Sequence, residues 1–267
     1  MKVDDYFGLG KPTTNIGLGC GRLVGRDGLR ESAAIVEAAL ELGIRHFDVA
    51  PSYGMGTAEE VLGVVLASVA DVTITTKVGI QRAAYSRRRA VVRRVAKPLL
   101  DRRRTLKALA RRAAPTGTQR EPFVFSSDAI RRSLEESLEK LRRESVDAFL
   151  LHEPLSSDLN AETEHCLDLL AGQGLFSTYG VGIDARSPRW REFGSIWQSR
   201  WPGDALDEYR DAVSYVFHGA VRYAAESDGP DASPGDAVRA AVERAPRAVL
   251  LVSASTPGRL RELVEWL

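Results

Sequence analysis

Asp48, Tyr53, Lys77 and His152 each lie at or just past the end of a short apolar run, in the stretches HFDVAPSYG, VTITTKVG and AFLLHEP. A tyrosine hydroxyl titrates at about 10 and donates a proton poorly at neutral pH unless its anion is stabilised. A nearby lysine ammonium supplies that stabilisation, and an aspartate paired with the lysine holds the ammonium in place. A histidine at the same pocket orients a carbonyl oxygen or assists proton transfer. The four types suit protonation of an alkoxide formed when hydride reaches a carbonyl carbon, and equally the reverse reaction. Singly, each has a plainer reading: Asp48 as a loop cap, Tyr53 as a rim aromatic, Lys77 as a solvated strand end, His152 as a satisfied core histidine. Their recurrence on three successive predicted strands points instead to one site at the carboxyl end of a barrel.

The elements that must position them alternate strand and helix. NIGLGCG (15–21), HFDVA (46–50), VTITTKV (72–78), AFLLHE (148–153) and YGVGID (179–184) read as strands. GSIWQSR (194–200), AVSYVFHG (212–219) and AVLLVSA (248–254) continue the series. Between them run helices. The first has Ile35, Ala38, Ala39 and Leu42 at helical spacing, with Gly43 as its stop. The second is N-capped by Thr57, with Glu59 and Glu60 in its first turn. The third starts near Ser127, with a stripe of Ile130, Leu134, Leu138 and Leu141. The fourth is marked by Leu167, Leu169 and Leu170. The rhythm predicts an α/β fold, a (β/α)8 TIM barrel, as one domain over residues 1–267. Its C-terminal half is shortened. There is room only for a short helix near 204–209, a loop SDGPDASPGD and a helix DAVRAAVERA.

Bulk properties agree. The 267 residues are 44% hydrophobic, enough for one large core. A net charge of +1 does not advertise nucleic acid or a membrane. No apolar run approaches the roughly 20 residues of a membrane span, and the N-terminal MKVDDYFGLG lacks the apolar region of a signal peptide. Cys20 and Cys166 form no disulfide framework and read as small buried residues in a reducing compartment. A cytoplasmic protein is expected. His46, His152, His165 and His218 are scattered without a cysteine cluster, so no metal site is expected.

Residues 81–126 stand apart as a long basic insertion after the third strand. They carry fourteen Arg or Lys against Asp101 and Glu121. A barrel tolerates such an excursion on its catalytic rim. It reads as a solvated lid, as a surface for an anionic substrate or polyanion, or as a contact for a protein partner. Within the basic run 82–120 Tyr85 is the only aromatic residue, which argues against a base-stacking platform for nucleic acid.

The stretch GIRHFDVAPSYGMGTAEEVLG, then TTKVG, then IRRSLEESLEKL leading into DAFLLHEP, resembles the aldo-keto reductase family. The likeness covers most of 15–185 and resumes at 248–262. It implies an eight-stranded barrel and a nicotinamide cofactor, NADPH with NADH as the alternative, bound without a Rossmann fold. It implies Tyr53 as general acid, Lys77 and Asp48 as its supporting pair, and His152 as the group that orients the substrate. It further implies that Gln198 helps hold the nicotinamide carboxamide and that Phe217 stacks on the ring. After the eighth strand, SASTPGRLRE resembles the segment that binds the adenosine 2′-phosphate. There Arg259 pairs with phosphate, Glu262 accepts from adenine, and Ser255 and Thr256 donate to phosphate.

Two departures accompany the resemblance. The Ser-Asn pair that usually ends the fifth strand is replaced by Gly182 and Ile183, and the family lysine after the eighth strand is replaced by Ser253. The segment that family members carry past strand eight is short here, so the basic insertion is the candidate specificity loop, suited to an anionic or bulky carrier-linked carbonyl substrate. The leading expectation is an NADPH-dependent reduction of an aldehyde or ketone. The alternatives are non-redox acid–base chemistry on the same barrel, such as dehydration or cyclisation, and a non-catalytic binding subunit.

Overall fold

A computed structural model describes residues 2–3, 13–25, 28–81, 123–183, 193–203, 205–206, 215–227 and 233–266. Most of the basic insertion, residues 82–122, lies outside the described residues, as does most of the short helix expected near 204–209.

Eight parallel strands close into a barrel. In chain order they are β3 (Ile16–Gly19), β4 (His46–Asp48), β5 (Thr73–Val78), β6 (Val146–His152), β7 (Phe176–Gly182), β8 (Ile196–Arg200), β9 (Tyr215–His218) and β10 (Val249–Val252). Each pairs with its sequence neighbour, and β10 returns to pair with β3 through Leu250 and Ile16. Two short strands, β1 (Lys2–Val3) and β2 (Thr13–Thr14), form a separate antiparallel pair. All eight strands expected from the sequence are present.

Side chains alternate across each strand, so one set fills the barrel and the other packs under the helices. Ala148, Leu150, Ile196, Val216, Val249 and Leu251 form the inner apolar cluster. Phe47, Phe149, Leu151, Trp197 and Phe217 belong to the outer one. Each such side chain, fully buried, contributes about 1.5–3 kcal/mol. On the inner face of β4 and β5 the alternation reads His46, Asp48 and Thr73, Thr75, Lys77. The polar residues therefore stack in layers toward the carboxyl end.

The helices that clothe the barrel follow their apolar stripes. Helix α1 (Leu29–Glu41) buries Ile35, Ala38 and Ala39, and Gly43 ends it with φ of 79°. Helix α2 (Ala58–Val65) and helix α3 (Ser127–Leu141) pack together. Helix α3 buries Ile130, Leu134, Leu138 and Leu141 as its spacing predicts, and Ser126 caps it by accepting from the Ala129 amide. Helix α4 (Ala161–Gly172) is capped by Asn160 and buries Leu167 and Leu170, whereas Leu169 faces solvent. After β9 come α5 (Ala220–Ser227) and α6 (Pro234–Arg244), and α7 (Pro257–Val264) follows β10. No helix among the described residues is long and apolar enough to cross a membrane.

Two local readings change. AVRYAAES forms helix α5 where only one helix, DAVRAAVERA, was expected between β9 and β10, and the end of the expected loop SDGPDASPGD is the first turn of α6. Thr57 precedes α2 but does not cap it. Its hydroxyl donates to the Gly54 carbonyl and accepts from the Gly25 amide, both at 2.7 Å. It thereby ties the loop after β4 to the loop after β3. Glu59 stands in the first turn of α2 as expected, where it is wholly buried and accepts from the Thr76 hydroxyl at 2.7 Å.

The barrel floor carries a pH liability. His46 is wholly buried on the inner face, with Nδ1 2.9 Å from the Thr73 hydroxyl. Burial pushes its pKa down from 6.5 to about 4, against the opposing pull of Asp48 and Asp147. The unfolded chain takes up a proton near 6.5 that the folded chain refuses until about 4. Stability present above pH 6.5 is therefore lost as the pH falls through that window. The loss expected from this one group is roughly 3 kcal/mol. Urea unfolding across the window is expected to show it, with a flatter profile for His46→Gln. Equal slopes in the two proteins would remove His46 from the explanation.

Candidate active site

The carboxyl end of the barrel gathers the four residues first singled out. Lys77 and Asp48 are 1% and 2% exposed. Lys77 Nζ donates to both Asp48 oxygens at 2.7 Å, and contacts the Val49 carbonyl at 3.1 Å and the Tyr53 hydroxyl at 3.4 Å. The ammonium also lies 4.8 Å from the centre of the Tyr53 ring. His152 meets that ring edge-on, with centroids 5.9 Å apart.

The loop carrying Tyr53 is shaped by sequence. Residues Tyr53–Gly56 form a tight turn in which Gly54 and Met55 adopt left-handed backbone angles, with φ of 57° and 59°. A β-carbon at Gly54 would sit 1.7 Å from the Leu23 carbonyl oxygen, so only glycine permits this approach. Met55 accepts a conformation uncommon outside glycine, a form of local strain that collects at functional sites. The turn folds the tyrosine back over Lys77.

Electrostatics follow from burial. Burial pushes the Tyr53 hydroxyl up from its ordinary value, Lys77 pulls it back, and Asp48 adds to the rise. Burial alone would lower Lys77, but Asp48 and then Tyr53 hold it above its ordinary value as a cation. The phenol is thus protonated at neutral pH. Lys77 donates to its oxygen, and no described residue accepts the phenol's own hydrogen, which is left for a ligand oxygen.

A cleft of about 670 Å³ opens from this point. Asp48, Tyr53 and Gln198 line it, together with Ser253, Ser255 and Arg259. Lys77 sits beneath Asp48 and Tyr53 rather than in the wall. Gln198, 4% exposed, donates from Nε2 to Asp48 Oδ2 at 3.1 Å, while its Oε1 is buried without a hydrogen-bond partner among the described residues. A β-carbon at Gly182 would lie 3.0 Å from that oxygen. The glycine that replaces the family's polar pair therefore leaves the acceptor open.

Phe217 and Glu262 are not in the cleft wall. Phe217 is on the outer face of β9, stacked 5.4 Å from Tyr215 and edge-on to Trp201 at 5.5 Å. The inner residue of β9 at the mouth is His218, which lines the cleft. Period-two alternation from Val216 identifies it, but YVFH is apolar on both faces and conceals which face is inner. Glu262 accepts instead from the Arg259 guanidinium one turn back along α7. That pair is exposed, and a phosphate can compete for the arginine at little cost. Ser253 donates to the Gly19 carbonyl at 2.8 Å, so its hydrogen is already committed. Thr256 Oγ1 caps α7 by accepting from the Arg259 amide at 3.2 Å.

Sequence reasoning missed the rest of the positive wall. Arg22 and Arg222 both line the cleft with Arg259, and Asp48 is the sole carboxylate among its lining residues. The segment 219–222 at the start of α5 and the segment 253–255 before α7 both face the cleft, so two helix N-termini turn toward it. No motif marks Arg22 or Arg222; an unexplained arginine beside a strand end was the available signal. Among the described residues no three His, Cys, Asp or Glu side chains group as a metal site.

A family model described as the Aldo/keto reductase family matches residues 15–191. A D-threo-aldose 1-dehydrogenase from a Pseudomonas species is 30% identical over 158 residues, which cover 57% of this chain and 44% of that protein. A pyridoxal 4-dehydrogenase from Microbacterium luteolum is 30% identical over 161 residues, covering 57% of this chain and 44% of that protein. The match thus spans less than half the length of either relative. Among solved structures, a glycerol dehydrogenase from Gluconobacter oxydans superposes with a TM-score of 0.70 at 20% identity, over 96% of this chain and 87% of that one. At that identity the likeness is one of fold.

Proposed function

The chain belongs to the aldo/keto reductase family, and from that premise we propose that it is an NADPH-dependent oxidoreductase that reduces an aldehyde or ketone to the alcohol. The observation that carries the reading is the buried chain Asp48–Lys77–Tyr53, whose last hydroxyl opens on the cleft. Lys77 holds the phenol oxygen from below, so the proton Tyr53 gives up is the one facing the cleft. As that proton leaves, the adjacent ammonium stabilises the phenolate, and Asp48 keeps the ammonium in place. His152, packed against the ring, orients the carbonyl oxygen toward Tyr53.

The residues present fit a nicotinamide dinucleotide. The open Gln198 Oε1 is a buried acceptor suited to the N–H of a carboxamide. Arg22, Arg222, Arg259 and the two helix N-termini suit its phosphates. When bound, the cofactor supplies the hydride. Arg259, with Ser255 and Thr256, supports NADPH over NADH, since these groups suit a 2′-phosphate. His218 takes the place at the mouth expected of Phe217. The substrate is a small carbonyl compound, and the basic insertion 81–126 favours an anionic one. Cys20 and Cys166 are both unpaired and buried, in keeping with a cytoplasmic setting.

Titration with NADPH and NADH, followed by cofactor fluorescence, tests this reading. A saturable response to both is expected, tighter for NADPH, with Arg259→Ala weakening NADPH roughly tenfold and NADH little. Silence with both cofactors would end the proposal.

A further inference from the structure

Asp48 is gripped from two sides. Lys77 holds it from the neighbouring strand, and Gln198 Nε2 holds Oδ2 at 3.1 Å from β8. Strands β4 and β8 stand diametrically opposite in the ring of eight, so this second bond spans the barrel mouth. An ionised carboxylate only accepts hydrogen bonds, which obliges the amide nitrogen to face Asp48 and turns the amide oxygen away. That oxygen is Oε1, buried, unpartnered among the described residues, and beside the space that Gly182 leaves. One amide group therefore connects the cleft to the Asp48–Lys77–Tyr53 chain.

We propose that Gln198 is a positioning residue of the proton-transfer set: it holds Asp48 across the barrel mouth and so sets how much of the Lys77 charge reaches the Tyr53 hydroxyl. A carboxylate that shares its charge with a third donor competes less for the ammonium field, and the phenolate gains. A donor arriving at Oε1 polarises the amide, strengthens its bond to Asp48, and adds to the effect. Only the identity of that donor, a nicotinamide carboxamide, rests on the reductase reading. The groups facing Tyr53 from the packed elements are Asp48 on β4, Lys77 on β5, His152 on β6 and Cys20 after β3. Burial and then Asp48 hold the Cys20 thiol protonated, so the Gln198–Asp48 bond is the element of this set that an uncharged substitution removes.

Ring-carbon NMR of isotope-labelled tyrosine in the cofactor-free protein tests the proposal, with Tyr53 assigned by its loss in Tyr53→Phe. Gln198→Met keeps the length and removes the donor. Its Tyr53 is expected to ionise about half a pH unit higher, a roughly threefold smaller tyrosinate fraction at a given pH. Ionisation at the same pH as in the wild type, or lower, overturns the proposal. Gln198→Leu, which also removes the donor without adding a charge, is expected to move Tyr53 the same way and serves if the Met variant does not fold. Because no cofactor is present, the result stands apart from whether NADPH binds.

Discussion

Tyr53→Phe is expected to lower kcat for carbonyl reduction by about 10²–10⁴-fold, the usual contribution of a positioned general acid. The substitution removes one oxygen and little else. The ring keeps its edge-on contact with His152 and its place over Lys77 Nζ, so the loop has no reason to move. Gly54 still makes its close approach to Leu23. Affinity for the reduced dinucleotide should stay nearly unchanged, because the arginines and helix N-termini proposed to hold its phosphates make no bond to the Tyr53 hydroxyl. A large loss of affinity would assign Tyr53 to binding rather than proton transfer. The raised pKa gives the pH dependence its sign. Reduction needs the phenol, which burial keeps protonated at neutral pH. Alcohol oxidation needs the phenolate, and its rate is expected to climb as the pH rises toward the Tyr53 value. An oxidation rate flat on the alkaline side would separate Tyr53 from the reaction.

Lys77→Met carries the second large effect, and it falls on stability as well as activity. The ammonium and the Asp48 carboxylate are both almost wholly buried. Removing one partner strands the other charge, at a cost of about 3–5 kcal/mol. Urea unfolding should register that loss. Adding Asp48→Asn removes the stranded charge, so the double variant should recover much of the stability, the non-additive result expected of two residues in contact. Activity should not recover with it, since the ammonium beside the Tyr53 oxygen is still missing. If Lys77→Met unfolds at the wild-type urea concentration, the pair is not the buried contact described.

Much of this was legible in the chain because two periods carry it. Apolar runs of strand length alternate with helical stripes, and all eight strands fall where those runs do. Polar residues closing such runs mark the carboxyl rim, and Asp48, Tyr53, Lys77 and His152 do meet there. What escaped had physical causes. Phe217 and His218 are neighbours on a strand buried on both faces, and a run without polar alternation does not say which side chain enters the barrel. Helix α5 is short, and its fully buried residues are only Ala220 and Ala224, with Val221 and Tyr223 partly buried, so tertiary packing against α6 supports it more than its own pattern. Thr57 looked like a cap because caps are local; its real partners, Gly25 and Gly54, come from the meeting of two loops. Arg22 and Arg222 belong to no motif and converge only in three dimensions. The family match ends at residue 191, before the strand that supplies Gln198 and the helices that supply Arg222 and Arg259. The proton half of the site was therefore easier to read than the cofactor half.

Wild type and Tyr53→Phe, each saturated with NADPH, can be mixed with a panel of neutral and anionic aldehydes while NADPH absorbance is followed. The wild type is expected to consume NADPH in step with alcohol formation, and Tyr53→Phe to bind NADPH yet consume almost none. A wild type that binds NADPH and consumes it with no aldehyde, or a Tyr53→Phe variant that turns over as fast as the wild type, would contradict the assignment of Tyr53 as the proton donor.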